Sequence, residues 1–188
     1  MAVPITGTAL DTEVARNLEV VSREIDDLTG RRFFTTTADE TRYYTARHAG
    51  TLTVDDLISV TSLATDSDGD RTYEDTWAVT DYDLYPYNAT LDGKPYWRLN
   101  VTPAGDYAFP PGVPKGVKIV GKFGYCAIAN VPSRIKAACI IRAAMLLNVP
   151  LAPYGTIGLG EAEAQQVNAN PYGVFRGLLD PFRRVEVG

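Results

Sequence analysis

The chain is poor in the residues that usually perform chemistry. Its 188 residues include one histidine, His48, and two cysteines, Cys126 and Cys139. His48 lies in the polar turn Arg47-His48-Ala49-Gly50 with no serine or cysteine of a nucleophile elbow beside it, so the pattern offers no positioned partner for general acid or base work. One His and two Cys do not make a zinc site of ordinary composition. Long apolar runs are also missing. The stretch around 137–147 is interrupted by Arg142 and falls short of the roughly 20 residues a membrane span needs. Residues 1–10 have neither the basic n-region nor the long apolar h-region of a secretory signal, so both cysteines are expected as reduced, buried thiols in a cytosolic compartment.

Motifs for cofactors fail on inspection, and no cofactor is expected. Gly155, Gly158 and Gly160 are followed by no Gly-Lys-Ser/Thr, which excludes a P-loop and leaves a linker. Asp66-Ser67-Asp68-Gly69-Asp70 opens like a calcium loop, but the required glycine and glutamate positions hold Arg71 and Trp77. The expectation is a solvated hairpin tip whose Asp and Gly residues tolerate left-handed backbone, without a metal. Carboxylates are numerous enough that a glycosidase pair could form in space, but no spacing singles one out.

What is present is a strong asymmetry of charge. Residues 55–92 hold ten acids against one base, Arg71, whereas 11 bases and only five acids follow Asp92. A subunit that stacks on different neighbours above and below can use such polarity for orientation and partner choice. A length of 188 residues with 45% hydrophobic content suits one domain with a packed core.

Three parts follow one another. Val14, Leu18, Val21, Ile25 and Leu28 form one stripe of a helix over about 9–28, with a Thr8/Asp11 capping box and Gly30 as its left-handed stop. Residues 32–124 read as β structure, with runs at 41–47, 51–54, 57–63, 72–79, 95–101 and 117–123 separated by Gly, Pro, Asp and Asn clusters. Nine of the 11 tyrosines lie between Tyr43 and Tyr125. Cross-strand packing explains them, and an aromatic platform for sugars or bases is the alternative. A second helix opens at Val131-Pro132-Ser133 and carries Ile135, Ala138, Cys139, Arg142, Met145 and Leu146 at helical spacing until Pro150. After a linker at 151–160, Asn170-Pro171 starts a short helix to about Leu179, rich in aromatic and basic side chains. The fold class is therefore α+β: a small helical bundle, from 1–31, an Ala-rich helix near 131–148 and a short C-terminal helix, with a large β-rich insertion. The domain layout expected is a single domain over 1–188, with 1–31 and 125–150 as helical core, 32–124 as insertion, and 151–188 as linker and C-terminal docking segment.

The order of these features resembles a known family. The amphipathic helix, Gly30-Arg31-Arg32-Phe33-Phe34, Thr41-Arg42-Tyr43-Tyr44-Thr45, the Asp-rich hairpin, Asp81-Tyr82-Asp83-Leu84-Tyr85-Pro86, Gly121-Lys122-Phe123-Gly124-Tyr125, the Ala-rich helix and the closing Asp180-Pro181-Phe182-Arg183-Arg184 together resemble the head-to-tail connector (adaptor) proteins of long-tailed, siphovirus-type bacteriophages. The resemblance implies a non-enzymatic virion protein of the neck, assembled in the host cytoplasm as a homo-oligomeric ring, usually a dodecamer. Its partners would be the portal protein and a head-completion (stopper) or tail protein, with DNA passing through unbound and no membrane involved. Carried onto this chain, it makes Tyr172, Phe175, Arg176, Leu179, Phe182, Arg183 and Arg184 the portal-contact candidates. Asp66, Asp68 and Asp70 would face the stopper, solvent or lumen. The insertion is large for the compact all-helical members. Two other classes fit part of the pattern: another neck or tail-completion ring subunit of tail-terminator type, and a carbohydrate-binding β module using Trp77, Trp97 and tyrosines.

Overall fold

The computed structural model describes residues 8–147 and 170–184. The expected linker at 151–160 and the side chain of Thr8 in the capping box lie outside what is described. The architecture is α+β, and the chain forms two compact units, Met1–Arg31 with Pro132–Gly188 and Arg32–Val131.

In the helical unit, α1 (Thr8–Thr29) ends where Gly30 turns to φ 65° and the Arg31 N–H reaches back to the Asp26 carbonyl at 3.2 Å. A left-handed residue just past the last turn lets later amides satisfy carbonyls that the helix leaves open. The second half of the expected stripe is core, with Val21 and Ile25 buried, while Leu18 is 37% exposed and Val14 half-buried. The stripe thus outruns the partners this chain supplies. Helix α2 (Ser133–Leu146) buries Ile135, Ala138 and Ala143, and α3 (Pro171–Leu179) buries Phe175 and Leu179. Met145, at helical spacing with these residues, is only half-buried. Alanines 138 and 143 keep the α2 surface small where α1 and α3 pack on it. Glu24 of α1 accepts from Arg142 Nε of α2 with both oxygens (2.8 and 3.1 Å), and the Arg142 guanidinium sits 5.4 Å from the ring centre of Tyr172 on α3. Three helices are joined through one arginine. A 3₁₀ turn, Asp180–Phe182, follows α3, and the chain is then fastened to the end of α1: Arg31 Nε donates to the Phe182 carbonyl (2.7 Å) and the Arg184 N–H to the Thr29 carbonyl (2.8 Å).

The other unit is built on an antiparallel sheet in the order β1-β6-β2-β5-β4, from β1 (Glu40–Tyr44), β2 (Thr51–Thr65), β4 (Tyr82–Tyr85), β5 (Tyr96–Val101) and β6 (Val117–Phe123), with β3 (Asp75–Thr76) paired to β2. Strand β6 alternates strictly, burying Val117, Ile119, Gly121 and Phe123, the period-2 pattern of a half-covered sheet. Gly121 is required sterically, because a Cβ there would lie 2.1 Å from the Ser59 carbonyl oxygen, between two register shifts of the β2–β6 ladder. The two strands expected at 51–54 and 57–63 are one. Asp55 and Asp56 do not end it, since the strand bulges between Thr53 and Leu57, Asp55 finds an arginine, and the Asp56 carbonyl accepts the Gly124 N–H at 2.8 Å. A bulge absorbs the polar pair without breaking the ladder. The expected 72–79 strand shrinks to Asp75–Thr76, and β4 appears where no strand was expected. The unit's chain ends meet: Tyr125 N–H donates to the Arg32 carbonyl at 2.7 Å.

Candidate functional site

The outer face of α3 is the first candidate. Asn170 caps the helix, its side-chain oxygen accepting the Gly173 N–H at 3.1 Å, and Pro171 occupies the first turn, where a missing amide costs nothing. Helical spacing then divides the seven expected contact residues. Phe175 and Leu179, one turn apart, are 0% and 2% exposed inside the helical unit, so they hold the fold and are corrected from contact residues to core. Phe182 and Arg184 are half-buried and anchor the fastening to α1. Tyr172, Arg176 and Arg183 are exposed, with Arg183 Nε 3.9 Å from Asp180. Val174, 50% exposed, belongs to this face and was missed. The signal was available for two of these positions, because the i, i+4 pair Phe175/Leu179 fixes the inward side and turns 174 and 176 away from it, whereas Tyr172, three residues before Phe175 and with its ring 5.7 Å from it, lies at the edge of the inward side.

The acidic loop between β2 and β3 differs from the solvated tip expected. Asp68 and Asp70 are exposed, but Asp66 is 0% exposed. Its two carboxylate oxygens accept the Gly69 and Arg71 amides at 2.7 and 2.9 Å, while Asp68 and Asp70 accept the Asp70 and Thr72 amides. Asp66 is the internal cap of the loop, a role short polar side chains take when the backbone turns away from its ladder. Removal from water pushes its carboxyl up, but the two amides outweigh that and hold it below the ordinary 3.8. Gly69 at φ 86° and Arg71 at φ 77° show the left-handed backbone these hydrogen bonds maintain. The three carboxylates lie within 4.8 Å of one another, yet each spends an oxygen on a loop amide.

A third cluster was invisible in the sequence. Glu40 on β1 accepts from Arg32 (2.6 Å) and Arg42 (2.8 Å), Arg42 also donates to Asp55 of β2 (2.8 Å), and the Tyr44 hydroxyl donates to the same Asp55 oxygen (3.2 Å). Arg42 lies 4.3 Å from the Phe123 ring centre. Burial raises the Glu40 carboxyl and the two arginines overcome it, so it sits below its ordinary value, while burial, with Asp55 adding to it, drives the Tyr44 phenol far up. The contacts of Asp55 with Tyr44 and Arg42, 11 and 13 positions away, form only because of the fold, so no local pattern announces them. Every charge faces an opposite one, and the cluster pins β1 to the sheet.

The aromatic platform divides as well. Trp77 is buried, its Nε1 donating to Thr65 Oγ1 at 3.0 Å and its ring stacked on Phe109 with centres 4.6 Å apart. It is core and cannot face a sugar. Trp97, 37% exposed, and Tyr87, 65% exposed, flank Tyr85, whose ring carries Arg98 at 4.2 Å. His48 is exposed in its turn, bridged to Thr51.

With this geometry in hand, the fold can be compared with known proteins. No family model matches the chain, and no curated protein does. Solved structures do. A chain from the neck of a native gene transfer agent particle, computed with C12 symmetry, aligns over 100% of this chain and 94% of its own length, with a TM-score of 0.57 and 20% identity. A chain from the neck of an empty particle, computed with C6 symmetry, gives 0.57 and 19% over 85% of its length, and one from the whole native virion gives 0.57 and 18% over 84%. The entire chain shares its fold with these neck chains.

Proposed function

We propose that the protein is a structural component of the neck of a phage-like particle. The observation that carries this reading is the fold likeness over the full chain to chains of gene transfer agent necks. The sequence features resembling head-to-tail connectors support it independently. In the finer form of the proposal the subunits form a ring, as the C12 and C6 symmetries of those necks suggest, between a portal and a stopper or tail protein, and DNA passes through without specific binding. The protein performs no catalysis and resides in the virion. Tyr172, Val174, Arg176 and Arg183 are the exposed side chains offered to the portal; aromatic and arginine side chains dominate binding hot spots. Asp68 and Asp70 are the loop acids available to the stopper, to solvent or to the lumen, where negative charge keeps a polyanion from adhering.

The test is a negative-stain image of the protein mixed with the portal of its own particle. A ring seated on the portal is expected, and its loss in the Tyr172→Ala/Arg176→Ala/Arg183→Ala variant. A ring that binds the tail tube and ignores the portal would instead make the chain a tail terminator.

A further inference from the structure

Two strand edges of the sheet unit border one cleft without being paired. Strand β2 pairs with β5 only as far as Leu57 opposite Tyr96, and with β3 only from Ala64, so among the described residues positions 58–62 have no ladder partner on that side. Strand β4 pairs with β5 alone. A cleft of about 480 Å³ is lined by 58–60 of β2 and 82–84 of β4, with Val79, Tyr87 and Tyr96 completing it. Successive side chains of a strand point to opposite faces, so a cleft that touches three in a row on each strand runs along their edges, where the backbone amides are. The register identifies those amides on β4. The Thr102 N–H donates to the Asp81 carbonyl at 3.0 Å, which makes 81 and 102 a hydrogen-bonded pair and 83 and 100 the next. Tyr82 and Leu84 take the alternate positions, so their N–H and C=O groups point away from β5. Their side chains belong to the core side, whereas Asp83 stands exposed on the other face. Val79, 78% exposed, and Tyr87, 65% exposed, add uncovered apolar surface. Charge here is one-sided. No base lines the cleft, Asp83 has no ion pair among the described residues, and Arg98, in register with Tyr85, lies over that ring instead. Residues 148–169 of this chain, with two glutamates and no base, have the wrong charge to fill it.

We propose that this cleft receives an extended segment of another protein as an added strand on β4, a segment in which apolar and basic residues alternate. Residues side by side on neighbouring strands share a face, so apolar side chains fall beside Tyr82 and Leu84, over Val79 and Tyr87, and basic ones fall beside Asp83. Backbone hydrogen bonds supply affinity, and the alternation supplies the choice of partner. An acid on a free edge repels another acidic edge and admits a basic one. The site lies wholly within the sheet unit and needs neither ring nor portal, so its test is independent of the neck reading.

The probe is a capped peptide of about seven residues, the length of a short strand, alternating valine and lysine and added to the full chain. It should bind saturably with a Kd below about 1 mM, and at saturation the hydrogen exchange of the Tyr82 and Leu84 amides, followed by NMR, should slow at least about tenfold. Glutamate in place of lysine should weaken binding at least about tenfold. N-methylation of the valine amides, which keeps the side chains and removes the backbone donors, should abolish it. Asp83→Lys, at an exposed position, should leave the melting temperature unchanged and reverse the preference between the lysine and glutamate peptides. Absence of saturable binding by the valine–lysine peptide would overturn the proposal, as would equal binding of the glutamate peptide or undiminished binding of the N-methylated one. Protection confined to β1, the other edge strand, would overturn it too. The peptide comparisons all use the parent, so they decide the matter even if the Asp83 variant fails to fold.

Discussion

The sheet unit and the helical unit expose apolar side chains in different ways. In the sheet unit twelve buried side chains form a single cluster around Trp77, Phe109 and Phe123, and several of its exposed apolar residues, Val79, Tyr87, Leu91 and Ile128, lie outside the strands. In the helical unit the exposed residues Leu18, Val20, Ile140 and Val174 stand within helices, on a backbone whose direction is already fixed. Apolar side chains on a loop form an adaptable surface, whereas those held at helical spacing form a rigid one that a partner can match. On the strands of the sheet unit the large exposed side chains are the aromatics Tyr43 and Trp97, whereas those on the helices are mainly aliphatic.

The largest effect should come from breaking the smaller core. Ile135→Asp places a charge among α1, α2 and α3 side chains and should cost about 3–5 kcal/mol or more, unfolding the helices. Far-UV circular dichroism would record their loss, and survival of the near-UV signal of the Trp77–Phe109 stack would show that the sheet unit stands without them. If both signals vanish together, the two units fold as one. Next in size, Arg142→Ala removes the ion pair in which its Nε is shared by both Glu24 oxygens and the contact with Tyr172, and should cost about 1–3 kcal/mol in a denaturant titration. Glu24→Gln in the same background should add little, because the pair is already broken.

Asp66→Asn should lower the melting temperature at neutral pH, and the pH dependence sharpens the prediction. The folded carboxyl lies below 3.8, so its contribution is fully present above the unfolded value and is lost as pH falls through the lower folded one. Parent and variant melting temperatures should therefore converge below about pH 4. The smallest effect is expected for Asp68→Asn/Asp70→Asn, whose melting should stay within error of the parent's, with or without calcium. A calcium-dependent rise in the parent that the double variant lacks would establish a metal site in the loop.

The elements with a clear period were legible before the fold was known. Val21, Ile25, Ile135 and Ala138 sit where helical spacing places them, and Val117 to Phe123 alternate as a strand should. Length was harder to read than type, because Asp55 and Asp56 look like a terminus in sequence but are held by Arg42 and the Gly124 amide from distant strands. The candidate site suffered from reading composition without direction. Phe175 and Leu179 were taken with Tyr172 and Arg176 as one aromatic-basic set, although burial depends on which way each side chain leaves the helix. Asp66 shows the converse case. An acid in a run of acids looks like surface, yet two backbone amides five residues apart or less were enough to draw it inside.

The hydrogen bond between the Tyr125 amide and the Arg32 carbonyl brings the two ends of the sheet-bearing segment side by side. A segment whose entry and exit coincide behaves as a cassette: it can lengthen, shorten or be exchanged without asking the host helices to move their attachment points. Swapping residues 33–124 for a short turn would then leave the three-helix frame with the same two anchor positions, and the excised sheet, joined end to end, would form a circular polypeptide with little strain. Proteins that share these helices can in this way carry very different surfaces at one address, and an engineered binding module could be installed there.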